Sequence, residues 1–262
     1  MEGNFEYATK KNITCFSTPF DKNSVELLYS LNVPAFKIAS ADITDIPLIK
    51  YIAKKKLPIF ISTGMANDEE IEYAINSIQD QGNQNIIIMH CITSYPTRPE
   101  DANLEMIKTL QKKFPDNIIG FSDHTLGTAI AVFSTFYGSK CIEKHFTFDN
   151  SLTASPDHRL SLNPKDFAEM VRLLELAIIS RGSSKRISFD VESEAVKFAR
   201  RSIVSNRKIL KNTKIEEDML DIKRPGTGIS PKFFDEIIGS KTICDIEEDT
   251  PIQWKDILKE NE

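Results

Sequence analysis

Six short runs of apolar and β-branched residues recur along the first 145 positions, and longer stretches with helical periodicity separate them. Continuous apolar runs are typical of strands that are buried on both faces of a sheet. Their alternation with helices predicts an α/β fold whose parallel sheet is covered on both faces. The predicted strands are residues 13–17, 35–40, 58–62, 87–91, 118–122 and 141–145.

Two of the intervening stretches predict helices with defined starts. At residues 67–80, Asn67 is suited to cap the helix and Glu70 follows three positions later, which is the spacing of a capping box. At residues 163–181, Asn163 is the predicted cap and a proline occupies the first turn. The predicted buried stripe of this second helix is Phe167, Met170, Val171, Leu174 and Ile178.

Polar side chains at the strand ends favour a TIM-type barrel. Every predicted strand ends in a hydroxyl, thiol or imidazole group, and such residues at the carboxyl end of every strand are typical of that barrel. A doubly wound sheet, the alternative, gathers its polar groups near one switch point. The residues concerned are Ser17, Thr18, Ser40, Ser62, Thr63, Cys91, Ser122, Asp123, His124 and His145.

The strand–helix alternation is too short for a complete (β/α)8 barrel, which takes about 250 residues. It ends near Arg181, where a polar stretch begins, and short predicted strands and turns occupy residues 201–257. We therefore predict three parts. They are a barrel domain at 1–184 that lacks about its first two βα units, a linker at 185–196, and a small β-rich domain at 197–262.

Composition and charge narrow the class of protein. The net charge is −5 and the isoelectric point about 5.6, which argues against nucleic acid or an anionic membrane as a partner. No apolar run approaches the roughly 20 residues of a membrane helix, and the first residues lack the apolar core of a signal peptide. The four cysteines show no CxxC spacing. These features favour a cytoplasmic protein with reduced thiols.

Nine segments, in order along the chain, carry a resemblance to a known family. From about Asn12 onward the chain resembles the bacterial-type sialic acid synthases, and its tail resembles their antifreeze-like (SAF) domain. The segments are FSTPFD, FKIASADITDIPLI, ISTGMA, HCITSYPTRPEDANL, GFSDHTLG, IEKHFT, SPDHRLSL, ARRSIV and IKRPGTGISP.

The resemblance implies a transferase that forms a C–C bond between phosphoenolpyruvate and an N-acetylated amino sugar. The product is a nonulosonic acid, and the assembly a domain-swapped homodimer. The E-A-G-x-N-H-x-G and K-x-Q motifs of the family's first two strands do not occur, so the chain is expected to lack that N-terminal portion. The alternative is a non-catalytic remnant or binding subunit. The sugar stays open among N-acetylmannosamine, its 6-phosphate and dideoxy diamino sugars.

The candidate metal ligands are His124 and His145, which end neighbouring predicted strands. Two imidazoles with water and substrate oxygens suit a borderline divalent ion. The resemblance implies Mn²⁺ or Mg²⁺, which would polarise the sugar aldehyde. The alternatives are that each ring is a satisfied polar group under a loop, or that the site belongs to a generic metal-dependent hydrolase. His90 is expected to point elsewhere, and His158 is left unassigned.

Phosphoenolpyruvate carries a phosphate and a carboxylate, so its pocket needs cationic and hydroxyl donors. The candidates are Thr18, Lys37, Ser40 and Ser62, at three predicted strand ends. Lys37 and Ser40 are three residues apart and would face opposite sides of a regular strand, so a bend must bring them together. The alternative is that the hydroxyls cap the following helices.

Candidate sugar contacts follow from the resemblance. They are Asp42, where many family members have Glu, together with Tyr95, Asp157 and Arg224. The alternative for Tyr95 is packing at the barrel rim. Arg224 stands in a turn-rich loop and is expected to reach the partner subunit's barrel.

Glu143 is the remaining candidate catalytic residue, beside the two histidines. It precedes His145 by two positions, so both side chains should face the barrel interior. We expect a proton-handling or water-positioning role for its carboxylate, because an interior charge beside a metal is costly unless it is used.

Overall fold

The computed structural model describes residues 2–185 and 190–258. The chain divides into two compact units, Met1–Gly182 and Ser183–Glu262. Residues 186–189 of the predicted linker lie outside the described residues, and its last part is helical because the helix Ser193–Ala199 begins there.

Five parallel strands form the sheet of the first unit, in the order β1-β2-β3-β4-β5. This confirms the predicted α/β class with a parallel sheet. The strands are β1 Phe36–Ile38, β2 Ile59–Ser62, β3 Ile86–Cys91, β4 Ile118–Asp123 and β5 Ile142–Lys144. The helices are α1 Glu2–Lys10, α2 Lys22–Ser30, α3 Ile46–Ala53, α4 Asp68–Gln79, α5 Glu105–Lys113, α6 Ala129–Phe136 and α7 Pro164–Ser180.

The sheet curls strongly toward its carboxyl edge. Lys37 of β1 and Glu143 of β5 lie on the two terminal strands, yet the Lys37 Nζ and a Glu143 carboxylate oxygen are 3.7 Å apart. A flat sheet would hold these side chains several strand spacings of about 4.8 Å apart. The five strands therefore form a half-barrel, and its concave side collects the strand-end residues.

The predicted first strand, residues 13–17, is wrong. Its only ladder contact in the described residues is an isolated parallel bridge between Ser17 and Phe36. Ile13 and Phe16 are exposed, and the segment has a neighbour, β1, on one side only. A strand that is paired on one side and buries few side chains gains little from becoming regular.

The two predicted helices form where expected, but only one buries its predicted face. Asn67 caps α4 with the full capping box, and Ile71 and Ile75 of α4 are buried in the main core. Asn163 caps α7, but Val171 and Ile178 are 41% and 67% exposed, so the buried stripe was wrong at both.

The exposed part of α7 borders an apolar groove of about 440 Å³ that also contains Ile142 of β5. Among the described strands β5 is the last of the sheet, so no further strand lies beneath this side of the helix. The buried stripe of α7 was predicted on the assumption that the whole apolar face of the helix lies against the sheet.

The second unit is β-rich, as predicted, and has its own core. Strand β6 Ser202–Ser205 pairs antiparallel with β7 Leu220–Lys223, and β8 Lys241–Thr242 with β9 Ile257–Leu258. Helices α8 Ser193–Ala199 and α9 Phe234–Ile237 complete its α-helices among the described residues. The short 3-10 helices of both units are Ser40–Asp42, Pro99–Asp101, Pro156–Arg159, Asp190–Glu192, Glu217–Met219, Pro231–Phe233 and Trp254–Asp256.

None of the helices in residues 2–185 and 190–258 combines the length and the apolar character needed to cross a bilayer.

His90 points away from the strand ends that carry the candidate site, as expected. Its ring is buried, stacks on Phe121 and places Nε2 2.9 Å from the carbonyl oxygen of Ala102. Burial lowers the pKa of His90 from 6.5, against the opposing effect of its backbone hydrogen bonds. The ring is therefore a structural group that favours the neutral form.

The stability of the protein should decrease as the pH is lowered, because of His90. Its pKa is lower in the folded chain than in the unfolded one, so the unfolded chain binds more protons below about pH 6.5. We expect the unfolding free energy to decline below that pH. His90→Gln keeps a donor for the Ala102 carbonyl but has no proton to gain, so its unfolding free energy should decline less at low pH. Each unit by which the pKa of His90 is shifted corresponds to about 1.4 kcal/mol of that difference, measured by urea denaturation at pH 5 and 8. Equal pH dependence in both proteins would contradict this.

Candidate active site at the carboxyl ends of the strands

A cleft of about 390 Å³ opens at the carboxyl ends of the five strands. It brings together most of the candidate residues from separate strands and loops. The predicted residues in its wall are Thr18, Lys37, Ser40, Ser62, Tyr95, His124, Glu143 and His145. Cys91 and Ser122, noted at their strand ends but given no role, also line it, and sequence reasoning missed Ala39, Ala41, Met65 and Thr93.

One end of the cleft carries a buried ammonium group among hydroxyls. Lys37 is 9% exposed, and its Nζ donates to the Ser62 hydroxyl at 2.7 Å and to the Ile38 carbonyl at 3.1 Å. The expected bend is present: β1 ends at Ile38 and a 3-10 turn begins at Ser40, which brings Ser40 to the cleft beside Lys37.

Gly64 lies in the same corner, at a position where a larger residue would not fit. Its N–H donates to the Ser40 hydroxyl at 3.0 Å. A Cβ at this position would lie 2.2 Å from Thr93 Oγ1 and 2.9 Å from Ser40 Oγ. The backbone therefore approaches two hydroxyl groups closely, which leaves a compact polar corner suited to a small anion.

The imidazoles of His124 and His145 lie at the other end of the cleft. Their ring centroids are 5.2 Å apart, at an angle of 66°. His124 Nδ1 is 2.8 Å from the Ile92 carbonyl, and His145 Nδ1 is 3.9 Å from a carboxylate oxygen of Asp157. The Ile92 carbonyl thus orients the His124 ring by a hydrogen bond at Nδ1, as outer groups do in metal-binding histidines, whereas Asp157 is near His145 without a hydrogen bond.

Burial and neighbours shift the pKa values of the two rings in opposite directions. Burial lowers the pKa of His124, but contacts with the Cys91 thiol and the Ile92 carbonyl outweigh it and the net pKa is raised. Burial and the neighbouring His124 lower the pKa of His145. His145 therefore favours the neutral form that a cation requires.

Two imidazoles can provide part of a divalent cation's coordination shell, and substrate or water oxygens would supply the rest. Within residues 2–185 and 190–258, no group of three or more His, Cys, Asp or Glu residues is placed to hold a metal ion. The donor set thus fits an ion that is held partly by substrate, and does not fit a closed structural site.

Tyr95 packs against both imidazoles. Its ring centroid is 4.2 Å from that of His124 and 5.7 Å from that of His145, and the residue is 46% exposed. The ring lies tilted over His124, meets His145 edge to face, and is partly open to solvent. Of the two predicted roles, packing is present, and the exposed part leaves room for a contact with sugar.

Glu143 reaches the cleft but is not enclosed as expected. Its side chain is 44% exposed, it accepts a hydrogen bond from the Ser122 hydroxyl at 2.6 Å, and Lys37 lies 3.7 Å away. The residue is on the terminal strand, where one side of the cleft is open. Its carboxylate lies between the ammonium corner and the imidazoles, a position suited to handling a proton.

The other predicted sugar contacts are not in the cleft wall. Asp157 lies beside His145. Asp42 follows β1 in a 3-10 turn; its Oδ2 is buried without a hydrogen-bond partner, and burial, then the charge of Asp45, raises its pKa. Arg224 is exposed in the second unit.

His158, which the sequence left unassigned, contacts the Thr147 hydroxyl at 2.8 Å and thus holds its own loop.

The half-barrel with functional groups at its strand ends defines an α/β enzyme of the TIM-barrel type. The chain belongs to the NeuB family, whose pattern matches residues 2–186, and a SAF domain matches residues 200–258. Both parts of the resemblance seen in the sequence are thereby confirmed.

Several relatives have names or structures. The chain is 45% identical to the uncharacterized protein MJ1065 of Methanocaldococcus jannaschii, over 97% of this chain and 74% of that protein. It is 36% identical to the N,N'-diacetyllegionaminic acid synthase of Legionella pneumophila, over 96% and 71%. The crystal structure of spore coat polysaccharide biosynthesis protein SpsE from Bacillus subtilis matches with a TM-score of 0.65 and 36% identity, over 97% and 76%. Sialic, legionaminic and pseudaminic acid synthases are thus homologues of this chain.

A methyl group at Gly64 should disturb the polar corner. Gly64→Ala would force Thr93 and Ser40 apart, so we expect a loss of about 1–3 kcal/mol in unfolding free energy. The double variant Gly64→Ala/Thr93→Ala removes the nearest clash and should recover part of the loss. Gly3→Ala has nothing within 4 Å of its added methyl and serves as the control. Unchanged stability of Gly64→Ala would contradict the close approach.

Proposed function

We propose that this chain is a nonulosonic acid synthase, a transferase that condenses phosphoenolpyruvate with an N-acylated amino sugar and releases phosphate. The observation that supports this most strongly is the single cleft. It gathers an ammonium–hydroxyl corner and an imidazole pair from different strands into one cavity of about 390 Å³. Its homology to synthases of sialic, legionaminic and pseudaminic acids supports the same reaction class.

Phosphoenolpyruvate would bind in the corner formed by Lys37, Ser40, Ser62 and Thr18. Lys37 is already desolvated and hydrogen-bonded, so its charge acts at short range and with little reorganisation. The Gly64 N–H holds the Ser40 hydroxyl in place, and the hydroxyls of the corner would donate to phosphate or carboxylate oxygens. The anion would thus replace Glu143 as the main acidic neighbour of Lys37.

The sugar aldehyde would lie against the imidazoles of His124 and His145, with Tyr95 beside it. Mn²⁺ (or Mg²⁺) is the cofactor we propose for this place, and when bound it would supply Lewis-acid polarisation of the aldehyde oxygen. The chain contributes the two imidazole ligands and the orientation of His124 through the Ile92 carbonyl.

The reaction forms a bond between C3 of phosphoenolpyruvate and the aldehyde carbon. Water then adds its oxygen to C2, and the bond between C2 and the phosphate oxygen breaks. The product is a nine-carbon 2-keto acid, and inorganic phosphate leaves. Glu143, between the two ends of the cleft, is placed to orient that water or take its proton. Most of the rate would come from alignment of the two substrates.

The residues that would contact the sugar are Tyr95, Asp157, Asp42 and Arg224. Tyr95 and Asp157 lie beside the imidazoles, and Asp42 has a carboxylate oxygen without a partner. Arg224 is exposed on a turn of the second unit, which is consistent with reaching a partner subunit in a domain-swapped homodimer in the cytoplasm.

The alternative is a binding subunit that holds phosphoenolpyruvate without turnover. The observation in its favour is that the described sheet has five strands and the cleft is open beside Glu143. An open site lets water compete for every charge that the reaction needs.

Phosphate release from this chain should distinguish the two functions. We expect release when phosphoenolpyruvate, Mn²⁺ and an N-acyl mannosamine or diamino sugar are present together, and none when any one is omitted. Lys37→Met should weaken phosphoenolpyruvate binding about tenfold or more, since one charge-assisted hydrogen bond is worth about 1.5–3 kcal/mol. His124→Ala should lower kcat about 100-fold or more with binding of phosphoenolpyruvate retained.

Lys208→Met serves as the control, because it removes a lysine from an exposed ion pair of the second unit. Calorimetric binding of phosphoenolpyruvate without phosphate release would favour the binding subunit. If the wild-type chain neither binds phosphoenolpyruvate nor releases phosphate, both functions are wrong.

A further inference from the structure

A buried ion pair lies directly beside the two imidazoles. Asp123 is the residue before His124 on β4, Lys144 is the residue before His145, and the two are register partners of the ladder between β4 and β5. The Lys144 Nζ is 2.7 Å from a carboxylate oxygen of Asp123, and both side chains are 0% exposed. Neither residue lines the cleft.

The pair also fixes the backbone that follows β4. The Thr125 N–H donates to the second carboxylate oxygen of Asp123 at 2.8 Å, and the Lys144 Nζ donates to the Thr125 carbonyl at 2.5 Å. The residue between them in sequence is His124, whose carbonyl accepts a hydrogen bond from the Thr97 N–H. His124 is therefore held on both sides by contacts that do not involve its ring.

Side-chain alternation links this pair to the cleft. Neighbouring residues of an extended segment point to opposite sides, so an ion pair behind the sheet places the next residue of each strand in front of it. Because Asp123 and Lys144 bind each other, β4 and β5 cannot slip or rotate independently at this level. The spacing of the His124 and His145 rings then follows from the pair.

Stability alone is a weak explanation for this pair. Removing two charges from water is expensive, and buried ion pairs can often be replaced by neutral groups with little loss of stability. Such a pair is better explained by geometry, since its charges and hydrogen bonds allow one arrangement of the two strand ends.

We propose that Asp123 and Lys144 are positioning residues that set the distance and angle between the imidazoles of His124 and His145. This positioning role rests on the proposed function only for the identity of the ligand that the two rings bind. The arrangement of the rings can be measured without metal or substrate.

The test compares the wild-type chain with the double variant Asp123→Asn/Lys144→Met, which removes both charges and keeps an acceptor for the Thr125 N–H. The chain has four histidines, so the protein with labelled histidine gives few ring signals. We expect a nuclear Overhauser effect between the rings of His124 and His145 in the wild type. It should fall about threefold or more in the variant, since a ring shift of about 1 Å suffices, while the melting temperature changes little.

The control is Lys208→Met/Glu247→Asn, which removes an exposed pair of the second unit and should leave the ring contact unchanged. A folded double variant of the buried pair that keeps the full ring contact would overturn the proposal. If that variant does not fold, Asp123→Glu, which keeps both charges and lengthens the carboxylate side chain by one methylene, decides by the same measurement. A weaker ring contact then supports the proposal, and an unchanged one overturns it.

Mn²⁺ binding gives a second readout, measured from the paramagnetic signal of the free ion. We expect about tenfold weaker binding in the double variant, the usual effect of losing an outer group that orients a ligand. If the wild-type chain shows the ring contact but does not bind Mn²⁺, the metal part of the proposed function fails and the positioning role stands. If binding is unchanged while the ring contact falls, the positioning role stands and the two rings are not the Mn²⁺ ligands.

Discussion

Curvature of the parallel sheet is the constraint on which the rest of this structure depends. Each strand pairs with the next in parallel, so all five carboxyl ends lie on one edge. The curl of that edge brings Lys37 and Glu143, from the first and last strands, within 3.7 Å. Without the curl, the ammonium corner and the imidazole pair would be two separate surface features and would not share one cleft.

The cleft divides its electrostatic work between two ends. Lys37 provides a desolvated positive charge among hydroxyls, and the imidazole end provides neutral nitrogen at His145. Glu143 lies between them and balances the charge of Lys37 when no anion is bound. In the proposed function, an incoming phosphate or carboxylate would take over that role and free the Glu143 carboxylate to act on water.

Features that depend on local sequence were predictable, and those that depend on distant partners were not. The capping box of α4 is encoded within four residues, and the strands β1 to β5 are apolar enough to be read directly. Residues 13–17 have the same composition as a strand, but a ladder with a neighbour and cover for the apolar side chains also decide, and this segment has one bridge and exposed Ile13 and Phe16. The stripe of α7 failed for the same reason, because periodicity shows which face is apolar and not what lies against it.

The candidate site shows a similar division. Residues at strand ends were found because parallel strands place their ends together whatever the loops do. The pairing of Asp123 with Lys144 was missed, although both charged residues were visible in apolar strands, because only the register shows that they face each other. Tyr95 and Asp157 lie on loops or turns, where sequence does not fix direction. If the proposed function holds, the strand ends would keep the reacting groups in place while such segments vary, so substrate choice could change without disturbing the chemistry.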